Sequence, residues 1–223
     1  MGVTGLILFG DSILAGTGAS QRELSCSKLI KSLINVPVSL RGRNWNTSQD
    51  GLDRLEDDVL SQKQLSHVLI LFGNNDSRLI APSQHMVALD QFHTNMLTMA
   101  RKIKSNGQCP LLCNLQLLDE SHFATTFPEA GRFRESMGVG ISALHQLYSD
   151  EIKKIADESG AAFLDIRSPL KKAKENTVAS DGMHPNDLGH KIIAVSVIAC
   201  LTQAGAPENL ISDKLLLNSL LSR

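Results

Sequence analysis

The sequence predicts an α/β fold, a three-layer α/β/α sandwich around a parallel sheet, on the strength of two observations. Five short apolar runs recur along the 223 residues: VTGLILF, VPVSL, HVLILF, PLLCNLQ and AAFLDI. Longer segments with an apolar stripe at helical spacing lie between them. Strands covered by helices on both faces bury both faces, so near-continuous apolar runs rather than alternation point to a parallel sheet. A succession of strand, helix and strand then returns each strand beside an earlier one by a crossover.

The elements follow in order. VTGLILF has neither a basic leader before it nor a small-residue cleavage site after it, so it is read as a first strand. Leu6 stands where a myristoylation signature wants Ser or Thr. The second and third runs, VPVSL and HVLILF, enclose the stretch RGRNWNTSQDGLDRL. Leu89, Phe92, Met96, Ala100 and Ile103 form one helical stripe, ended by Asn106-Gly107. After the fourth run comes an unpatterned stretch, Leu117 to Gly138, longer than most α/β connections and so expected to be a functional loop. Ile141, Leu144, Tyr148, Ile152 and Ile155 make a second stripe, ended by Gly160. Beyond the fifth run, DGMHP precedes a last amphipathic segment, and Asn209 to Leu221 reads as an extra leucine-rich helix. That helix can pack on the domain, cap the site or carry a homo-oligomer contact.

Composition narrows the classes. With 42% hydrophobic residues the chain can bury one sizeable core, so one domain over residues 1–223 is expected. Lys plus Arg is 22 against 23 for Asp plus Glu, and no basic run is interleaved with aromatics, so nucleic acid is not an expected partner. No apolar stretch approaches the ~20 residues of a spanning helix, so no membrane anchor is expected. Cys26, Cys109, Cys113 and Cys200 form no disulfide-dense pattern, and four residues of strand separate Cys109 from Cys113. Free thiols and a cytoplasmic location are the expectation.

Ligands of open parallel sheets bind beyond the carboxyl ends of the strands, so the residues after each strand are the ones that matter for chemistry. There the sequence places Gly10-Asp11-Ser12, then Arg41-Gly42-Arg43-Asn44-Trp45, then Gly73-Asn74-Asn75-Asp76, and late in the chain Asp181-Gly182-Met183-His184-Pro185. A Gly-Asp-Ser turn alone is commonly a helix cap. Together the segments hold a serine, a carboxylate and an imidazole on one edge, as base-activated nucleophilic attack requires. Asp181 and His184 are three apart, so one loop can carry the base and the group that orients it. Asn75 can offer an amide N–H to an oxyanion, and the Ser12 N–H at a helix start is a second donor.

At these residues the sequence resembles the SGNH hydrolases, the GDSL esterase and lipase family. LFGDSILAG matches that family's first block, GNND its third and DGMHP its fifth, so the resemblance spans nearly the whole chain. It implies a flavodoxin-like fold with a five-stranded parallel sheet, Ser12 as nucleophile, His184 as base and Asp181 as its partner. It also implies an oxyanion hole of the Ser12 N–H, the Asn75 side chain and a glycine N–H from the second block. Here the chain departs from the pattern: counting back from DGLDRL, the glycine's place falls on Trp45, while Gly42 lies three residues earlier. Either Trp45 donates from the glycine's place, which its φ/ψ must permit despite a Cβ, or the loop is shifted and Gly42 or Asn44 lines the hole. Packing against the second helix is the remaining alternative for this tryptophan.

Further residues bear on the same edge. Asp11 is a candidate substrate contact, with capping or bracing the turn as its alternative, and Asp76 is expected to fix the Asn75 loop. Phe123, Phe127, Phe133 and Met137 of the 117–138 stretch are candidates for an acyl or aryl pocket, or for ordinary core packing. Arg41 and Arg43 can meet an anionic substrate group or simply be solvated. His67, His85, His93, His145 and His190 have no nameable partners and are expected to be structural or exposed. No metal or cofactor is expected, since no ligand spacing is present. Neither GxxxxGK[ST] nor GxGxxG occurs, which argues against a phosphate cradle. The expected substrate is a small-molecule carboxylic ester or thioester, cleaved by water or passed to an alcohol acceptor by an acyltransferase with the same residues.

Overall fold

The computed structural model describes residues 2–129, 132, 138–203 and 210–212. Its main sheet has five strands: β1 (Leu6–Gly10), β2 (Val38–Gly42), β3 (His67–Leu71), β6 (Cys109–Cys113) and β7 (Ala162–Leu164). They run in the order β2-β1-β3-β6-β7, every pairing parallel. This is the flavodoxin-like order, with the direction of winding reversing at β1 and β3. A hairpin of β4 (Leu79–Ala81) and β5 (Gln84–His85) stands apart from the sheet. The helices are α1 (Ser12–Ala15), α2 (Cys26–Leu33), α3 (Ser48–Asp53), α4 (Leu89–Ser105), α5 (Glu120–Thr126), α6 (Ile141–Ser159), α7 (Arg167–Lys172) and α8 (Asp187–Gln203).

Successive residues of a strand point to opposite faces, and here both faces are covered. Leu6 and Leu8 of β1 enter one core with Leu29, Ile30 and Leu33 of α2 and Ile193, Val197 and Leu201 of α8. Ile7 and Phe9 enter the other with Phe92, Met96 and Ile103 of α4 and Tyr148, Ile152 and Ile155 of α6. All five residues of β1 and of β3 are buried, which is why their sequences show no alternation. Phe92, Met96, Ala100 and Ile103 of the first expected stripe and Tyr148, Ile152 and Ile155 of the second lie on these buried faces, and α6 ends on Gly160 in the left-handed conformation at φ 63°.

Strand boundaries depart from the apolar runs for identifiable reasons. β2 runs on through Arg41 and Gly42, because these residues pair with Phe9 and Gly10. The fourth run stops pairing at Cys113; Asn114 instead accepts from the Ile166 N–H at 2.8 Å and donates to Asp165 at 2.8 Å, tying β6 to the segment after β7. The stretch expected to lack pattern contains α5, whose start is capped by the Asp119 carboxylate accepting from the Ser121 and His122 N–H groups. The residues of the expected C-terminal helix lie outside the described residues except Leu210, Ile211 and Ser212. Ile211 forms an antiparallel bridge with Ile34. Among the described residues no helix is long and apolar enough to cross a membrane.

Candidate active site

β1 delivers Gly10 to the carboxyl edge of the sheet, and the chain turns at once into α1. Asp11 caps that helix, accepting from the Ile13 N–H at 3.0 Å, so Ser12 becomes its first residue. On the far side of the site, the loop before α8 folds over its own carboxylate. Asp181 Oδ1 accepts from the Met183 and His184 N–H groups at 2.9 and 3.0 Å, with Gly182 at φ 76° permitting the turn. That turn is pressed against α5: a Cβ on Gly182 would come within 2.1 Å of the Phe123 nitrogen.

These two loops bring three sequence-predicted residues together. His184 Nε2 is 2.9 Å from Ser12 Oγ, and His184 Nδ1 is 2.5 Å from Asp181 Oδ2. Burial pushes the Asp181 carboxyl up, but hydrogen bonds from the His184 ring and from the His184 and Met183 N–H groups outweigh it and hold it below its usual value. The carboxylate therefore stays ionised beside the imidazole.

A pocket of about 50 Å³ opens over Ser12, lined by Thr17, Asn44, Trp45, Asn75, Met183 and His184. Trp45 sits at φ 67°, the left-handed conformation that glycine adopts most readily, and its side chain is turned outward, 60% exposed. The exposed ring is therefore not packed into the core. Gly42 is excluded from the pocket. It belongs to β2, and a Cβ there would lie 2.3 Å from the Ala15 nitrogen, so its missing side chain is what lets β2 pass beneath α1. Asn44 does line the pocket, with its Oδ1 accepting from Thr17 Oγ1 at 3.0 Å. Among the described residues neither the Ser12 nor the Trp45 N–H donates to a protein acceptor. The Asn75 amide gives one hydrogen to the Asn46 carbonyl at 2.9 Å and keeps a second for the pocket.

Two expected substrate contacts are corrected. Asp11 is fully buried and faces away from the pocket: its Oδ2 accepts from Asn74 Nδ2 at 2.8 Å, and Asn74 Oδ1 meets His145 Nε2 at 2.8 Å. Burial, opposed by these hydrogen bonds, raises the Asp11 carboxyl to about 7, while burial and nearby Arg167 lower the His145 imidazole to about 3. Phe123 is also buried, in a cluster with Ile141 and Met183 behind the pocket, because α5 turns its apolar side inward. Phe127 packs against it at 4.8 Å between ring centroids. Phe133 and Met137 lie outside the described residues.

Residues that sequence reasoning passed over hold the floor of the site. Arg54 donates to the carbonyls of Gly10 and Arg41 at 2.9 and 3.0 Å, to Asn46 Oδ1 at 2.8 Å and to Asp58 at 2.6 Å, with its guanidinium 4.4 Å from the Phe9 ring centroid. It thus joins the ends of β1 and β2 to the Trp45 loop, and through Asn46 to Asn75. A helical arginine with an aspartate four residues on was the available signal, but it reads as a surface pair. Asp76 accepts from the Ser48 N–H at 2.9 Å, fixing the Asn75 loop to α3 as expected, and burial raises its carboxyl to about 6. Arg41 and Arg43 turn to Asp58 rather than to the pocket. Among the described residues no group of three His, Cys, Asp or Glu side chains could hold a metal ion.

Comparison with known proteins gives the family and the fold. Residues 8–192 match the model of the GDSL-like lipase/acylhydrolase family. An acetylxylan esterase of Geobacillus stearothermophilus is 26% identical over 187 residues, covering 80% of this chain and 78% of its own. A lipase/acylhydrolase from Enterococcus faecalis superposes with a TM-score of 0.71 at 21% identity, over 90% of this chain and 96% of that one. A crystal structure of a catalytic mutant of the Geobacillus acetylxylan esterase gives a TM-score of 0.68 at 21% identity, over 90% and 95%.

Proposed function

The chain belongs to the GDSL-like lipase/acylhydrolase family and is a carboxylic ester hydrolase, and from that premise we propose a Ser12-His184-Asp181 mechanism acting on esters of short acyl groups. The observation that carries the proposal is the continuous hydrogen-bonded chain from Ser12 Oγ through both ring nitrogens of His184 to Asp181. In the first step His184 Nε2 takes the hydroxyl proton as Ser12 Oγ attacks the carbonyl carbon, while Asp181 keeps the Nδ1–H tautomer in place. The Ser12 N–H, the Trp45 N–H and the remaining Asn75 amide hydrogen receive the oxyanion. The protonated imidazole then gives its proton to the departing alcohol oxygen, leaving the acyl group on Ser12. Water, deprotonated by the same imidazole, releases the acid and restores the serine.

The left-handed Trp45 backbone supports its share in the hole, since a donor of this kind acts through its N–H and not through its side chain. The small volume of the pocket, about 50 Å³, supports a short acyl group. An acetyl group suits that space, in keeping with the acetyl ester named for the Geobacillus relative.

Mixing the enzyme with p-nitrophenyl acetate, butyrate and octanoate tests the proposal. A burst of p-nitrophenol equal to the enzyme concentration is expected with the acetate, falling rates with longer chains, and no burst in Ser12→Ala. A Ser12→Ala variant as fast as the parent would reject the mechanism, and octanoate preferred over acetate would reject the short acyl group. Acyl transfer shares the first half-reaction and would show instead as an ester product when an alcohol is supplied.

A further inference from the structure

Around the mouth of the pocket the arginines divide into two kinds. Arg41, Arg43 and Arg54 all converge on Asp58, at 3.7, 2.9 and 2.6 Å. Among the described residues Arg78 has no such partner. Its backbone N–H donates to the Asn75 carbonyl at 3.2 Å, which sets it one turn beyond the amide that faces Ser12. Its guanidinium carbon lies 5.2 Å from the centroid of the Trp45 ring and 5.4 Å from that of Phe127. Among the described residues no carboxylate, carbonyl or hydroxyl accepts from it, and its nitrogens are not closed off from solvent. Partial burial lowers its pKa, with no acidic neighbour to offset the effect.

We propose that Arg78, clasped by Trp45 and Phe127, is a receptor for a carboxylate on the alcohol portion of the ester substrate. The proposal rests on the esterase reading of the Ser12 pocket and names its substrate class. A guanidinium against aromatic rings presents its N–H donors in a fixed fork, which suits the two oxygens of a carboxylate. The rings also strip water from the cation, so a partner for its charge gains more there than in bulk solvent. The alcohol side is the side chosen because Arg78 lies at the mouth and is not among the residues lining the small pocket over Ser12. Trp45 is the physical link: it lines the pocket over Ser12 while its ring supports Arg78. This also accounts for a tryptophan at a position where glycine would be less strained.

The test compares three acetate esters, 4-acetoxybenzoate, 4-acetoxybenzamide and p-nitrophenyl acetate, with p-nitrophenyl hemisuccinate, whose carboxylate is on the acyl side. In the parent enzyme kcat/KM for 4-acetoxybenzoate is expected to exceed that for the amide by about tenfold or more, mainly through KM. Arg78→Met should abolish this preference while changing the two neutral acetates by less than about threefold, and Arg78→Lys should restore it only in part, since charge without the fork remains. No preference in the parent, or an equal loss on all three acetates in Arg78→Met, would overturn the proposal. A preference for the hemisuccinate that depends on Arg78 would overturn the alcohol-side assignment. Turnover of the neutral acetates that depends on Ser12 keeps the esterase reading whatever Arg78 does, whereas no turnover of any ester removes both.

Discussion

Beneath Ser12, Asp11, Asn74 and His145 are almost wholly buried and joined by hydrogen bonds of 2.8 Å, whereas above it Trp45 is 60% exposed and touches Arg78 by ring contact. A buried polar group without a partner costs free energy, so a floor made of such groups has one arrangement that satisfies them and resists any other. A rim made of an exposed indole and a cation that, among the described residues, has no acceptor is under no such constraint. The floor fixes where Ser12 stands, and on the proposed reading the rim selects what reaches it.

Changes to the reacting groups give the largest expected effect. Ser12→Ala and His184→Ala should each lower kcat by about 10³-fold or more, and the double variant should be little worse than either, because the two act as a unit. Additive losses in a steady-state comparison would mean that they act separately.

Next comes the arginine that ties the floor together. Arg54→Met would leave Asp58 buried, with Arg41 and Arg43 more exposed partners. Denaturant unfolding should show a loss of about 3–5 kcal/mol, since one partner of a buried pair has been removed. A loss below about 1 kcal/mol would make the Asp58 cluster a surface feature.

The Asp11 carboxyl makes a smaller and pH-dependent difference. Burial raises it to about 7, against ~3.9 in an unfolded chain, so the native state holds this proton over a range in which the unfolded chain has lost it. Its contribution to stability is complete below pH ~4 and is lost as pH rises through about 7. Asp76, raised to about 6, acts in the same direction. His145, lowered to about 3, acts in the opposite one: its contribution is present above ~6.5 and is lost as pH falls towards 3. Because Asp11→Asn leaves both of these in place, its stability relative to the parent should improve between pH 4 and 8, by about 1–3 kcal/mol. A difference that stays constant over this range would mean that the carboxyl titrates as it does in water.

The smallest effect is expected at the rim. Trp45→Gly keeps the N–H and relieves a left-handed backbone that costs of order 1 kcal/mol in other residues. Hydrolysis of p-nitrophenyl acetate should stay within about threefold of the parent. A loss of about 100-fold would make the indole, and not the N–H, the contributing group.

Much of this was legible in the sequence. The five apolar runs became the five parallel strands because burial on both faces leaves its mark on every residue of β1 and β3. Ser12, Asp181 and His184 were findable because their residue types and the strand ends around them agree. The count back from DGLDRL also located Trp45 at the glycine-like position. What escaped was carried by polar contacts across long separations. Asn74 joins Asp11 to His145, 63 and 71 residues away, and Arg54 reaches the Gly10 carbonyl 44 residues back. No local pattern records such pairs. The Leu79–Ala81 and Gln84–His85 hairpin was equally silent, being too short to show alternation, with its turn made by Ser83 at φ 60° rather than by glycine. Phe123 was left between two readings because an aromatic residue in a long loop looks the same whether it faces a pocket or a core.

The most direct test of the central claim is chemical. After rapid acid quench of a reaction with p-nitrophenyl acetate, peptide mass spectrometry should find close to one acetyl group per enzyme, on the oxygen of Ser12. An acetyl group on another residue, or steady turnover with Ser12 never modified, would contradict it.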